Sequence, residues 1–253
     1  MQRRQVLGAL GLLSAAPCLA QEQDPFATLG WPELRREFLA GDEVRFDTRV
    51  NVEGPAFAED PMNVPVGISA EALGEDVQQI RVIVDRNPIR RVLDFYPGAG
   101  VRPSLGLRFK LEQASPVRAA VRLRDGSWRV GGALVDSAGG GCTVPGQTRR
   151  DGSWTQHLGE ISARLFARDG GARLRLRVMH PMDTGLAGSI PAFHLKRLAL
   201  RDGTGRELMR MDCGEPLSEN PVFSFDLIGQ PPGPLRIEAD DNNGNRFEGA
   251  VAS

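Results

Sequence analysis

The sequence predicts an all-β protein: two Ig-like antiparallel β-sandwich domains, with a short N-terminal helix and a glycine-rich interdomain arm. Three observations predict it. Short runs that alternate polar and apolar residues recur at near-regular spacing. The intervals hold turn chemistry, such as Asp125-Gly126, Asp202-Gly203 and Asn243-Gly244, in place of amphipathic helices. Gly 30 and Pro 18 are high counts, as many tight turns require. At 253 residues the chain has room for one large domain or two ordinary ones. Aromatic residues make up only 6%, so the core must be built from Val, Leu, Ile and Ala.

Residues 1–20 read as an address. Arg3 and Arg4 precede the apolar stretch Val6 to Leu13, and small residues lead to a cut after Ala20. The stretch is too short to span a bilayer, which predicts a cleaved export signal, a periplasmic location and no membrane anchor. The adjacent arginines match a twin-arginine signal; an ordinary secretory signal is the alternative. Leu34 and Phe38, four residues apart, predict one helix over Trp31 to Leu39, ended by Gly41. Strand runs follow at 43–50, 64–68, 80–84, 92–95, 105–109, 117–123 and 128–130, with a turn at Asp85-Arg86-Asn87-Pro88. A second set begins at Ile161. In it, Arg173 to Val178 places arginines on one face and aliphatics on the other, as a half-buried strand requires. Runs at 193–200, 206–211, 222–227 and 235–239 complete it. The organisation predicted is a signal over 1–20, one sandwich over 31–138, an arm over 139–152 and a second sandwich over 153–253.

Composition narrows the function. Lys+Arg 31 nearly balances Asp+Glu 32, which excludes a dedicated nucleic-acid surface of the usual basic kind. His157, His180 and His194 are the only histidines, and none has metal-ligand spacing, so no metal and no cofactor is expected. His180, in His-Pro-Met, reads as a structural turn. No P-loop, dinucleotide fingerprint or nucleophile elbow is present. Asp240 to Asn245 lacks the closing glutamate of a calcium loop and reads as a hairpin turn. The chain is therefore expected not to be an enzyme.

One segment breaks the rhythm. Gly139, Gly140 and Gly141 form a flexible arm leading to Cys142. Structural cysteines are usually buried, and a glycine tether is where burial is least expected. Chemistry is the better reason for this one: a thiolate nucleophile holding a persulfide or mixed disulfide. Cys18 leaves with the signal, so Cys213 is the one other cysteine of the mature chain and the possible disulfide partner of Cys142.

Val64-Pro65-Val66-Gly67-Ile68-Ser69, Val84-Asp85-Arg86-Asn87-Pro88 and the Gly-Gly-Gly-Cys segment resemble the SoxY subunit of the SoxYZ sulfur carrier. Val178-Met179-His180-Pro181-Met182-Asp183-Thr184-Gly185, Ile190-Pro191-Ala192-Phe193, Ser218-Glu219-Asn220-Pro221 and Asp240 to Gly244 resemble SoxZ. In this order they look like a single-chain SoxY–SoxZ fusion, similar to the carriers associated with quinoprotein dehydrogenases. The resemblance implies a covalent carrier of thiosulfate-derived or related sulfur on Cys142. Its implied partners are periplasmic sulfur-oxidation proteins, or a quinoprotein dehydrogenase or cytochrome. A monomer is compatible with a chain that already holds both subunits. In SoxY the arm is a free C-terminal tail, whereas here a whole module follows Cys142. The alternative is an Ig-like docking module in which Cys142 is incidental or disulfide-bonded.

Overall fold

The computed structural model describes residues 24–39 and 43–252, so the signal and Gly41 lie outside the described residues. Helix α1 (Trp31–Phe38) starts on a proline in its first turn and buries Trp31 and Leu34. The first half then runs through β1 (Val44–Phe46), β2 (Asn51–Glu53), β3 (Phe57–Ala58), β4 (Val64–Ser69), β5 (Val77–Val84), β6 (Arg91–Pro97), β7 (Val101–Phe109), β8 (Ser115–Leu123) and β9 (Trp128–Ser137). Two short helices, α2 (Gln147–Asp151) and α3 (Trp154–His157), occupy the end of the expected arm and the start of the second module. The second half holds β10 (Ile161–Arg168), β11 (Gly171–Val178), β12 (Leu195–Arg201), β13 (Glu207–Cys213), β14 (Val222–Ile228), β15 (Leu235–Asp241) and β16 (Arg246–Val251).

The halves are not two bodies on a string. Strand β6 pairs antiparallel with β13, and β7 pairs antiparallel with β14, so each of the two facing sheets runs through both halves. One sheet has the order β1-β9-β8-β5-β6-β13-β12-β15-β16, with β3 also on β9; the other is β10-β11-β14-β7-β4-β2. One hydrophobic cluster fills the space between them, and Phe95 of β6 stacks 5.6 Å from Phe225 of β14 across the junction. Pairing is antiparallel except for the short β1–β9 and β3–β9 edges.

Strand β8 is buried along most of its length because both faces are covered. Val117, Ala119 and Val121 face the main core, while Ala120 packs under α1 with Trp128 and Ile83. Arg118, fully buried in this strand, makes charge-assisted bonds to Asp85 and Asp24 and lies 4.3 Å over the Trp31 ring. That pair holds the segment ahead of α1 on the sheet. No described helix is long and apolar enough to cross a membrane.

Candidate functional site

The thiol sits where the two halves meet at one end of the shared sandwich. Two segments build its seat. Beyond β7, Lys110, Leu111 and Glu112 run on as a backbone shelf: Leu111 N–H donates to Pro61 O at 2.7 Å, and Lys110 N–H to Pro216 O at 2.7 Å. Asn87, 2% exposed, braces the shelf from the turn after β5. Its Nδ2 donates to Lys110 O at 2.7 Å, and its Oδ1 accepts from Glu112 N–H at 2.8 Å.

The other segment is the His180 to Thr184 loop after β11. His180 Nδ1 accepts from Met182 N–H at 3.1 Å, holding Met182 at φ 50. Asn220 exchanges backbone and side-chain bonds with His180 at 2.8 and 3.1 Å. Burial pushes the His180 imidazole down to about 4, against the opposing pull of Asp241, so the ring is neutral and serves as the expected structural turn. The turned loop presents Met182 O to Lys110 Nζ, a short contact, and Thr184 Oγ1 to the arm.

The arm is closed on this seat. Gly140 N–H donates to Glu112 O at 3.0 Å and Gly141 N–H to Leu111 O at 3.1 Å. The Glu112 carboxylate accepts from Cys142 N–H at 2.9 Å and from Thr143 Oγ1 at 3.1 Å. Thr184 Oγ1 donates to Cys142 O at 2.6 Å, which ties the cysteine to the second half. The Cys142 thiol lies 3.7 Å from Lys110 O, and the residue is 1% exposed.

This corrects the expectation of a mobile glycine tether with an exposed thiol. The glycines are there for close approach: a Cβ on Gly141 would stand 2.2 Å from Pro61 O and 2.6 Å from Leu111 O, and Gly139 adopts φ +92. Burial, with the Glu112 carboxylate adding to it and the Lys110 ammonium opposing, pushes the thiol up to about 12. Burial likewise lowers the Lys110 ammonium, against Asp183, Cys142 and Glu219. Closed, the site protects the sulfur and keeps it protonated.

The chain beyond the cysteine is anchored too. The Glu219 carboxylate accepts from Gln147 N–H and Thr148 N–H at 3.0 and 2.6 Å. Arg149 pairs with Asp183 at 2.9 Å through Nε and stacks 4.2 Å over Trp154.

Cys142 and Cys213 are both free, so the possible disulfide is not formed. Cys213 lies in β13 opposite Leu93, inside the intersheet core, whereas Cys142 rests on the shelf outside that cluster. Among the described residues no His, Cys, Asp and Glu cluster could hold a metal ion. Lys110 and Glu112 carry no sequence signal of their own role. Asn87, Thr184 and Asn220 lay within stretches that carry the SoxY and SoxZ resemblances, but nothing there marked Thr184 as an arm contact or Asn87 and Asn220 as braces of the shelf and the His180 loop.

A buried cysteine on a glycine turn, clamped between two β-sandwich halves, makes a site built around a single thiol. The family comparisons specify the class of protein. The model of the sulfur oxidation protein SoxY matches residues 35–142, ending on Cys142, and that of the sulphur oxidation protein SoxZ matches residues 164–252. The chain therefore belongs to these sulfur-oxidation families, as a SoxY domain fused to a SoxZ domain. The sulfur carrier protein SoxY from Chlorobium limicola f thiosulfatophilum is 16% identical, with 43% of this chain and 96% of that chain covered and a TM-score of 0.38. No curated protein matches the chain.

Proposed function

We propose that the protein is an exported, periplasmic, non-catalytic carrier that holds sulfur-containing intermediates covalently on Cys142 while partner proteins act on them. The observation that carries this reading is the placement of Cys142. It is the last residue of the SoxY match, and it is built into a two-sided clamp by residues of both domains. Loading with a thiosulfate-class anion would form one S–S bond, release the thiol proton and pass two electrons to a separate acceptor. A cytochrome or a quinoprotein dehydrogenase system is the partner class proposed for that role. The clamp must open first, because a thiol held at about 12 supplies almost no thiolate at neutral pH.

Burial of the thiol also favours a second reading: a docking module in which Cys142 is only structural. Intact-mass analysis of protein from the native periplasm, with and without reductant and with peptide mapping, separates the two. A reductant-sensitive sulfur adduct on Cys142 is the carrier result. An unmodified thiol in every growth condition, with function retained in Cys142→Ser, would refute it.

A further inference from the structure

The outer face of the six-stranded sheet carries a charge distribution that folding does not explain. Strand β11 turns Arg173, Arg175 and Arg177 outward, β10 adds Arg164 and Arg168, and β7 adds Arg108. Asp226 on β14 is engaged by Arg173 in a bidentate pair at 2.7 and 2.6 Å. Nearby Glu71 is taken by Arg102 at 3.0 Å, and Glu53 on β2 accepts from Asn51 at 2.8 Å. Among the described residues, Arg108, Arg164, Arg175 and Arg177 make no ion pair, while Arg168 shares the field of Asp226 with Arg173. Arg164 and Arg175 stand directly opposite each other in the β10–β11 register. Like charges so placed are destabilising, and neither arginine makes an ion pair that would relieve them.

The same face is shaped for contact. Ser224, Gly106 and Gly67 are aligned cross-strand neighbours on β14, β7 and β4, leaving a shallow depression of about 490 Å³ flanked by Arg108 and Arg175, with Glu53 as its one acid. Two apolar side chains stand out from it, Phe166 at 48% and Ile228 at 54% exposed. Arginine with scattered aromatic and aliphatic anchors is the composition of a protein interface. The face also abuts the thiol: Arg108 lies two residues before Lys110, and Arg177 lies at the end of β11 that leads into the His180 loop.

We propose that this face is a docking surface for an acidic protein partner, which it seats beside the mouth of the Cys142 clamp. The inference does not depend on what Cys142 carries. The test uses the mature full chain and two probes. Poly-L-glutamate stands in for an acidic surface, and a photo-crosslinking residue at Ser224 samples the native periplasm. Expected are saturable poly-L-glutamate binding, about tenfold weaker in high salt, and a discrete protein adduct from position 224. Both should be lost in Arg164→Ser/Arg175→Ser/Arg177→Ser and kept in Arg124→Ser/Arg197→Ser. Arg164→Ser alone should leave the melting temperature unchanged or slightly raised. Binding insensitive to the triple substitution, or an adduct that persists in it, overturns the proposal. Binding to heparin or phosphatidylglycerol vesicles but not to poly-L-glutamate overturns the assignment to a protein.

Discussion

Thr184→Val tests whether the clamp governs the thiol. The hydroxyl donates to Cys142 O at 2.6 Å in a buried setting, and valine keeps the shape while removing the donor. Such a bond contributes on the order of 1–1.5 kcal/mol, so the open arm should become about five- to tenfold more populated. Leu186 N–H also loses its acceptor, but Leu186 is exposed and water replaces it. The assay is the rate of iodoacetamide labelling at pH 7.5, read separately at Cys142 and Cys213 by peptide mass. Cys213 is the internal control: buried in β13, also pushed up to about 12 by burial, it labels only when the sandwich unfolds. Faster labelling at Cys142 with Cys213 unchanged is expected. Equal acceleration at both would mean global destabilisation. No change at Cys142, or wild-type Cys142 labelling at the rate of an unfolded control, would refute the clamp.

Gly141→Ala should leave the arm unseated, since its Cβ would meet two carbonyl oxygens; Cys142 labelling should rise more than tenfold with little change in urea stability. Arg118→Met should cost about 3–5 kcal/mol in urea unfolding, because Asp24 and Asp85 would be left buried without their cation. Stability should also fall on acidification, in two windows. His180 is held near 4 against 6.5 when unfolded, so its contribution is complete above 6.5 and about 3 kcal/mol is lost as the pH falls to 4. For Asp24, burial alone would raise the carboxyl, but the bonds from Arg118 and the Thr28 and Phe26 amides outweigh it and hold it at about 2. Its contribution is complete above 3.8, and about 2 kcal/mol is lost on falling through 2. Urea titrations at pH 7.5, 5.5, 4 and 2 check both, and a flat profile between 7.5 and 4 would remove His180 from the account.

The strands were legible because their information is local. Arg173 to Val178 alternates with the period its half-buried position requires, and β11 forms there. Helix α1 followed from its apolar spacing. What was not legible depends on distant partners. Continuity of the sheets rests on β6 meeting β13 and β7 meeting β14, pairings between residues over a hundred positions apart that no local pattern encodes. Residues 43–50 alternate like one strand, yet pairing stops at Phe46 and a turn follows, with Asp47 bonding Arg49. Strand β16 was missed because Gly249 takes the inward position between Phe247 and Val251 and breaks the apolar alternation. At the candidate site, Cys142 was singled out through its chemistry. Its burial was not foreseen, because three glycines read equally as slack chain and as chain pressed against other backbone. Only Leu111, Glu112 and Pro61 decide between these, and they lie outside the segment.

Fusion constrains how the arm can work. Between the end of β9 at Ser137 and the start of α2 at Gln147 lie residues 138–146, and Cys142 is the middle one. It is five steps from either anchor, so at about 3.4 Å per residue the thiol can project no more than about 17 Å, and only as the tip of a hairpin. A partner pocket must therefore admit two strands of chain, which a narrow channel for a single tail would not. Cutting the arm tests this directly. A protease site introduced at Val144, which is 40% exposed, would leave Cys142 on a one-ended arm. The halves should stay together as one particle, because the β6–β13 and β7–β14 ladders and the shared core hold them without the covalent link. Cys142 labelling should rise after cleavage, since the Glu219 and Arg149 anchors no longer tether it. If the halves separate on gel filtration, the shared sandwich is not the main tie between the domains. If they stay together and labelling is unchanged, Glu112 and Thr184 alone set the closure and the downstream anchor has no part in it.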